Sequence, residues 1–192
     1  MEREGTFRLE TARLVLRDLN EEDWPLIHAL SGETMVTRYQ TWMRRKDEAE
    51  CKAWLAELLA RTNHRRPRES YNLGFRVKGA PDLIGWVGFG KPLDPSKGEL
   101  GLGYALLPAF WNRGYMTEVV TAVVDYVFGS LEKQSIYATC AASNVASGRV
   151  LEKSHMVLVD RWPEEDPASR LVEEHLCYRI ARDEWLRWRP QA

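Results

Sequence analysis

The sequence predicts an α/β (α+β) fold in a single domain covering residues 1–192. Two observations carry this prediction. Residues 98–128 change from a short apolar run to apolar residues at three- and four-residue steps, which marks a strand followed by a helix. Before them, the apolar runs 71–77 and 83–90 are separated by the turn sequence Gly79-Ala80-Pro81-Asp82, which predicts a hairpin.

The composition excludes several classes of protein. Hydrophobic residues make up 44% of the chain and charged residues 29%, and the net charge is −1, so the totals do not favour DNA or an anionic membrane as a partner. No apolar run approaches the roughly 18 residues of a membrane-spanning helix, and residues 1–10 lack the apolar segment of a signal peptide. We therefore expect a cytoplasmic protein that binds neither DNA nor a membrane.

Metal-binding and disulfide frameworks are also not predicted. Cys51, Cys140 and Cys177 lie far apart, and no CxxC pair occurs. The four histidines show no spacing typical of metal ligands. We expect no metal in this protein.

Strands and helices can be assigned along the first half of the chain. Residues 8–19 alternate between apolar and polar side chains and are predicted as one strand. Asn20 is the predicted N-cap of a helix over residues 21–30. Residues 44–62 carry apolar side chains at helical spacing with charges opposite, which predicts an amphipathic helix.

The second half begins with the central strand, residues 99–106. Pro108 favours extended geometry in the residue before it, so the strand should end near Leu107. The helix that follows should start near Met116, with one face of valines in the core. Further strands are predicted at residues 136–141, 156–162 and 173–181, with an acidic loop at 163–170.

The junction between the central strand and its helix has the properties of an anion site. The start of a helix offers unpaired backbone N–H groups and partial positive charge. Gly114 lets a ligand approach the backbone closely, and Arg113 adds a full charge. The alternative is an ordinary strand–turn–helix connection. The chain has no GxxxxGK[ST] motif, and Gly101 and Gly103 lack the third glycine of a dinucleotide fingerprint.

Two stretches resemble the GNAT N-acetyltransferases. Residues 111–118, WNRGYMTE, resemble the family's acyl-CoA loop, especially in the RimJ/RimL-like branch that includes ribosomal-protein N-terminal acetyltransferases. Residues 144–153, NVASGRVLEK, resemble the motif after its fifth strand, and residues 9–17 resemble its first strand. The chain departs from the family pattern at Trp111, Met116 and His155.

The resemblance implies a fold and a cosubstrate. The fold would be a GNAT-type domain with a mixed, mostly antiparallel sheet of about seven strands and helices on both faces. The cosubstrate would be acetyl-CoA. Backbone N–H groups would hold the CoA pyrophosphate, and they belong to Arg113, Gly114, Tyr115, Met116 and Thr117.

Four further positions are assigned to the cosubstrate by the same resemblance. Asn144 and Ser147 would contact the pantetheine or phosphate part of CoA. A backbone N–H at Ala105 or Leu106 would polarise the thioester carbonyl.

Three residues are candidates for proton transfer. Glu99 is the candidate base, since strand alternation puts it on the same face as Gly101, which occupies the family's usual carboxylate position. The alternative for Glu99 is a solvated carboxylate at the start of a strand. By resemblance, Ser147 is the candidate acid for the leaving thiolate, and Tyr137 is a second candidate.

The acceptor side is the least specific part of the sequence. Residues 34–43 help to form the acceptor cleft in the family, so Tyr39 and Trp42 are candidate contacts, together with Tyr178. The alternative for Tyr39 and Trp42 is a connection between helices whose aromatics simply pack.

The predicted activity is acetyl transfer to a primary amine, including a protein N-terminal amine, by direct attack in a ternary complex. A small-molecule or antibiotic amine is the competing acceptor, and a non-catalytic CoA-binding module is the competing class. A homodimer is compatible with the sequence.

Overall fold

The computed structural model describes residues 7–64, 67–91, 96, 98–165 and 172–189. These residues form two compact units. The first unit comprises Met1–Gly90 and Tyr104–Val119, and the second comprises Lys91–Gly103 and Val120–Ala192. The predicted acidic loop at 163–170 is covered only as far as residue 165, and the rest of it lies outside the described residues.

The first unit contains four strands and the end of a fifth. They follow one another in the order β1-β2-β3-β4-β5, and the pairs β1/β2, β2/β3 and β3/β4 are antiparallel. Their bounds are β1 Arg8–Glu10, β2 Leu14–Asp18, β3 Ser70–Val77, β4 Gly85–Gly90 and β5 Leu100–Leu106. The predicted hairpin is confirmed, and Gly79 has a φ of 84° in its turn.

The prediction of one strand over residues 8–19 is wrong. The chain turns back after Glu10, and β1 pairs with β2 so that Leu9 lies opposite Leu16. The turn is closed by the Thr11 backbone N–H, which donates to the Leu14 carbonyl at 3.0 Å. This division gives eight strands in the described part of the chain instead of about seven.

Two of the helical segments in the first unit begin at capping side chains. The Asn20 side chain accepts a hydrogen bond from the Glu22 N–H and is an N-cap, as predicted, but it caps the short 3₁₀ turn Glu21–Asp23, and the α-helix begins only at Trp24. Asp47 caps the amphipathic helix, which therefore begins at Glu48, four residues later than predicted. The helices are α1 Trp24–Gly32, α2 Thr34–Thr37 and α3 Glu48–Arg61. Their apolar faces pack in one core that includes Leu26, Ile27, Leu30, Leu55 and Leu59.

The second unit contains the start of β5 and three further strands. Their order is β5-β6-β8-β7, with β6 Ser135–Ala141, β7 Val157–Glu165 and β8 Val172–Ala181. Strands β6/β8 and β7/β8 are antiparallel, whereas β5/β6 is the parallel pair. A parallel pair needs a long crossover, and helix α4, Tyr115–Gly129, provides it.

Helix α4 confirms the predicted change of period. Val119, Val120, Val123, Val124 and Val127 are all fully buried. The helix runs on from the first unit into the second, as β5 runs from the second into the first. Two more helices belong to the second unit, α5 Val145–Lys153 and α6 Arg182–Trp188. Of the described helices, none combines the length and apolar character needed to cross a membrane.

Candidate active site

The connection from β5 to α4 is fixed to the end of β5 by Trp111. Strand β5 ends at Leu106, one residue before the predicted limit, and Pro108–Phe110 forms a 3₁₀ turn. The Trp111 indole N–H donates to the Leu106 carbonyl at 2.7 Å. Trp111 therefore joins the start of residues 112–117, here called the anion loop, to the end of the central strand. This contact gives a structural reason for the Trp at position 111, which departs from the family pattern.

The loop backbone has the geometry of an anion site. Asn112 and Gly114 both have positive φ values, 59° and 74°, which Asn and Gly tolerate best. Alternating left- and right-handed residues turn successive N–H groups towards one concave side. The N–H groups of residues 112–117 donate no hydrogen bond to the described part of the chain. These groups therefore offer a row of donors at the start of α4, suited to a phosphate or pyrophosphate.

The predicted loop residues differ in how far their side chains are exposed. Arg113 is exposed, with its guanidinium 5.8 Å from the centre of the Phe110 ring. Gly114 is exposed as well, whereas the Met116 side chain is 6% exposed and belongs to the core. Met116 can therefore serve a ligand only through its backbone N–H. Tyr115 and Thr117 are half-buried in the first turn of α4.

The turn between β1 and β2 is hydrogen-bonded to the first turn of α4. Glu118 accepts hydrogen bonds from the Thr11 hydroxyl, from the Arg13 N–H at 2.8 Å and from Arg13 Nε at 2.6 Å. Arg13 Nη1 also donates to the Arg113 carbonyl at 2.9 Å, and the guanidinium lies 4.7 Å from the Tyr115 ring centre. Burial acts to raise the pKa of Glu118, but these hydrogen bonds and the Arg13 charge outweigh it and lower the pKa.

Sequence reasoning did not assign a role to Arg13, Thr11 or Glu118. Each occurs in a stretch that resembles the family, but the resemblance alone did not indicate that the two stretches meet. The contact joins residues more than a hundred positions apart in the chain. It depends on where the β1–β2 turn lies relative to α4, which neither stretch specifies by itself.

The acceptor candidates of the first unit lie near the end of β5. The Gln40 side-chain amide donates to the Tyr104 carbonyl at 2.6 Å and so fixes residues 34–43 to the central strand. The side chains of Ala105 and Leu106 beside it are buried. Gln40 was not among the predicted residues.

Tyr39 and Trp42 occupy different environments. Trp42 is half exposed, and its ring makes an edge contact with Trp86 at 5.6 Å between centres. Tyr39 is partly buried under the Arg38 guanidinium, 5.2 Å from its ring centre. The Trp42 indole packs on Trp86 and leaves half of its surface open to a substrate. The acceptor role of Trp42 and Tyr39 stays a prediction.

In the second unit, Asn144 and Ser147 form the start of α5. The Asn144 side chain accepts a hydrogen bond from the Ser147 N–H at 3.2 Å, so Asn144 is the N-cap of α5. The Ser147 side chain hydrogen bonds with Cys140. Burial raises the pKa of the Cys140 thiol to about 11, although this hydrogen bond acts to lower it. Cys140 is therefore a protonated thiol at neutral pH and not a nucleophile.

Tyr178 packs against the same helix. Its hydroxyl lies 3.3 Å from Glu152 Oε1, and a Cβ on Gly148 would lie 3.2 Å from its oxygen. Burial, and then the Glu152 charge, raise the pKa of Tyr178. Only 4% of its surface is exposed, so an acceptor contact through its ring stays a prediction.

Glu99 lies immediately before β5 and not within it. Its carboxylate accepts the Gln134 N–H at 2.6 Å, and its own N–H donates to Ser135 Oγ at 2.9 Å. The side chain is exposed, so one oxygen serves the turn while the carboxylate keeps contact with water. Tyr137 is buried and lies opposite Gly101 in the parallel pair β5/β6. The catalytic roles of Glu99, Ser147 and Tyr137 stay predictions.

These features define a class of protein. A row of free N–H groups lies at the start of a helix that follows the central strand of a mixed sheet. Clusters of His, Cys, Asp and Glu suited to a metal ion do not occur in the part of the chain that the structure describes. Such N–H donors suit the phosphate groups of a phosphorylated ligand.

Comparison with known proteins identifies the family. The profile of the acetyltransferase (GNAT) domain matches residues 13–157, so the chain belongs to the GNAT acetyltransferases. The uncharacterized N-acetyltransferase YoaA of Bacillus subtilis is 30% identical over 145 residues, covering 76% of this chain and 80% of that protein.

Solved structures share the fold at low sequence identity. The ribosomal L7/L12 α-N-protein acetyltransferase RimL, in complex with coenzyme A, has a TM-score of 0.77 and 17% identity, covering 93% of this chain and 99% of RimL. The spermidine N-acetyltransferase of Vibrio cholerae, in complex with CoA and spermine, has a TM-score of 0.76 and 19% identity, covering 92% and 99%. These two structures show that the chain shares their fold.

Proposed function

We propose that this protein transfers the acetyl group of acetyl-CoA to a primary amine by direct attack in a ternary complex. The observation that carries the proposal is the row of N–H groups at residues 112–117, which donate no hydrogen bond to the described part of the chain. A pyrophosphate satisfies several such donors at once and is favoured by the helix dipole. Arg113 adds an exposed positive charge to the site.

The remaining cosubstrate contacts follow the family resemblance. Asn144 and Ser147 contact the pantetheine or phosphate part of CoA, and both lie at the start of α5. The N–H of Ala105 or Leu106 polarises the thioester carbonyl. A backbone donor needs no reorganisation when charge develops on that oxygen, which is the main source of catalysis in acyl transfer.

The chemical step needs one proton removed and one delivered. The amine nitrogen attacks the thioester carbonyl carbon, the C–S bond breaks, and the amine loses a proton. Glu99 takes this proton, through a water molecule because it lies before β5. Ser147, or Tyr137 in its place, gives a proton to the leaving thiolate. No metal enters this scheme.

The acceptor is a primary amine, with two chemical classes open. RimL acts on a protein N-terminus and the Vibrio cholerae enzyme on spermidine, and both share this fold. Trp42 and Tyr39 would contact the acceptor, with Tyr178 in the second unit. A protein N-terminal amine is our first proposal, and a small-molecule amine such as a polyamine or an antibiotic is the second. A homodimer stays a prediction, which sedimentation can test.

One experiment tests the activity and the acceptor class together. Purified protein is incubated with acetyl-CoA and a panel of amines, and thiol release is followed. The panel holds peptides with ribosomal-protein N-termini, polyamines and aminoglycosides. Calorimetry with CoA, and with NAD as a control, measures binding separately. Thiol release with one class of amine supports the proposal, and CoA binding without turnover on any amine contradicts it.

A further inference from the structure

The contact between the β1–β2 turn and the start of α4 brings two opposite charges beside the anion loop. Glu118 lies in the first turn of α4, and its side chain is 18% exposed. Its carboxylate receives Arg13 Nε at 2.6 Å and the Arg13 backbone N–H at 2.8 Å. The Thr11 hydroxyl is its third donor.

The charge of Glu118 has an electrostatic consequence for any anion at this helix start. A carboxylate in the first turn is favoured by the helix dipole, but it competes for that dipole with an incoming phosphate and repels it. The Arg13 guanidinium offsets the carboxylate charge at a distance of 2.6 Å. With Arg13 in place, the site therefore keeps the positive potential of its N–H groups and of Arg113.

Arg13 also orients one peptide unit of the loop. Its Nη1 donates to the Arg113 carbonyl at 2.9 Å. In a trans peptide the C=O and the following N–H point in opposite directions. Holding the Arg113 carbonyl towards Arg13 therefore directs the Gly114 N–H away from Arg13, as a donor of the loop. Glycine adopts many backbone conformations, so this hydrogen bond helps to hold Gly114 at its φ of 74°.

We propose that Arg13 is a positioning residue for the CoA pyrophosphate, acting by neutralising Glu118 and by fixing the peptide between Arg113 and Gly114. The inference rests on the proposed function, because it assumes that the loop holds this pyrophosphate. Arg13 acts through Glu118 and the loop backbone and makes no contact with the ligand itself. The β1–β2 turn is thereby part of the binding apparatus.

The test measures CoA affinity in a double-mutant cycle. Arg13→Gln leaves Glu118 charged and uncompensated, so the Kd for CoA should rise about tenfold. Glu118→Gln removes the repelling charge and keeps Arg13, so its Kd for CoA should be equal to or lower than that of the wild type. The double variant R13Q/E118Q should recover more than half of the lost affinity on a logarithmic scale, because the repelling charge is gone. Arg13→Lys keeps the charge, and we expect a loss of about threefold or less.

Two further readouts separate positioning from general stability. Acetyl-pantetheine lacks the pyrophosphate, so its KM should be the same for wild type and R13Q, and kcat with saturating acetyl-CoA should also be unchanged. Arg17→Gln is the matched control, since Arg17 makes a similar ion pair with Asp23, at 2.7 Å, in the same unit. R17Q should lower Tm without changing the Kd for CoA.

Three outcomes would overturn the inference. One is an unchanged CoA affinity in R13Q, and another is an equal loss for acetyl-pantetheine. The third is a double variant as weak as R13Q, since the charge of Glu118 would then have no part in the loss of affinity. If R13Q does not fold, Arg13→Lys and Glu118→Gln carry the test, and a tenfold loss in Arg13→Lys would count against it. A wild type that does not bind CoA would overturn the proposed function instead, and the inference with it.

Discussion

The imidazole of His155 stacks on the indole of Trp188, with ring centres 4.2 Å apart and planes 19° apart. His155 follows the end of α5 and has a φ of 63°, where the family usually has glycine. A non-glycine residue in this conformation costs about 1 kcal/mol. The stack joins the end of α5 to α6, and an aromatic pair of this kind contributes about 0.5–1.5 kcal/mol. The departure from glycine is therefore offset by a contact that glycine could not make.

Replacing His155 should separate these two contributions. His155→Ala keeps the backbone strain and loses the ring, so we expect a loss of about 1 kcal/mol in the free energy of unfolding. His155→Gly loses the ring but removes the strain, so it should be close to the wild type. Urea unfolding measures both, with Trp188→Ala as the partner control. Equal losses for His155→Ala and His155→Gly would contradict the strain argument.

Gly114 should be required for CoA binding more than for folding. Gly114→Val forces a branched side chain into a φ of 74° and places a Cβ 3.5 Å from Arg13 Nη2. We expect CoA affinity to fall about tenfold or more, because the loop backbone must meet the phosphates. Calorimetry on the folded variant is the measurement.

Gly79→Val provides the matched control for that variant. Gly79 has a φ of 84° in the β3–β4 turn, and a Cβ there would have no atom within 4 Å. The Gly79→Val variant should lose about 1–2 kcal/mol in the free energy of unfolding from the same backbone strain, while its CoA affinity stays unchanged. Equal affinity losses in the two variants would mean that strain, and not the loop, controls binding.

Glu99→Gln tests the proposed base. The amide keeps an oxygen for the Gln134 N–H but cannot take a proton. Loss of a general base costs about 10²–10⁴-fold in rate, whereas the KM for acetyl-CoA should change little. The measurement is kcat/KM for the amine across pH, and we expect the wild-type rise with pH to be flattened in the variant.

Ser135→Ala is the control for the turn around Glu99. It removes the other hydrogen bond of that turn, from the Glu99 N–H at 2.9 Å, without touching the carboxylate. Its rate should stay near the wild type. A loss of less than about threefold in Glu99→Gln would assign the carboxylate to the turn alone.

The Cys140 thiol should make folding sensitive to alkaline pH. Burial raises its pKa to about 11, whereas a cysteine in an unfolded chain titrates near 8.5. The folded protein holds this proton more tightly, so the stabilisation is complete below about pH 8.5 and is lost as pH rises towards 11. The free energy of unfolding, measured in urea between pH 8 and 11, should therefore fall more steeply with pH for the wild type than for Cys140→Ala. Parallel curves would contradict this linkage.

Local patterns predicted the centre of the chain well. The valines of α4 repeat at helical spacing, and Asn144 precedes its helix in the way typical of a cap, so both follow from nearby residues. The turn at residues 11–13 carries no glycine or proline, so no local pattern indicates that the first strand divides.

Contacts between distant residues could not be predicted from such patterns. The contact of Arg13 with Glu118 depends on where the β1–β2 turn lies relative to α4. The stack of His155 depends on where α6 places Trp188. Glu99 has the residue type expected of a base, but only the structure shows that one of its oxygens serves the Gln134 N–H. A side chain's partners are decided by tertiary packing, which its neighbours in sequence do not specify.

Strand β7 lies at the end of its run of strands, and its first three residues carry the exposed apolar side chains of Val157, Leu158 and Val159. A regular edge of this kind would be a template for fibrous aggregation. Here the register shifts between Leu158 and Asp160, and Pro163 has no N–H to donate. Bulges and prolines interrupt the ladder that an added strand would need. The register shift and Pro163 therefore make this edge a poorer template for an added strand, although its first residues carry apolar side chains.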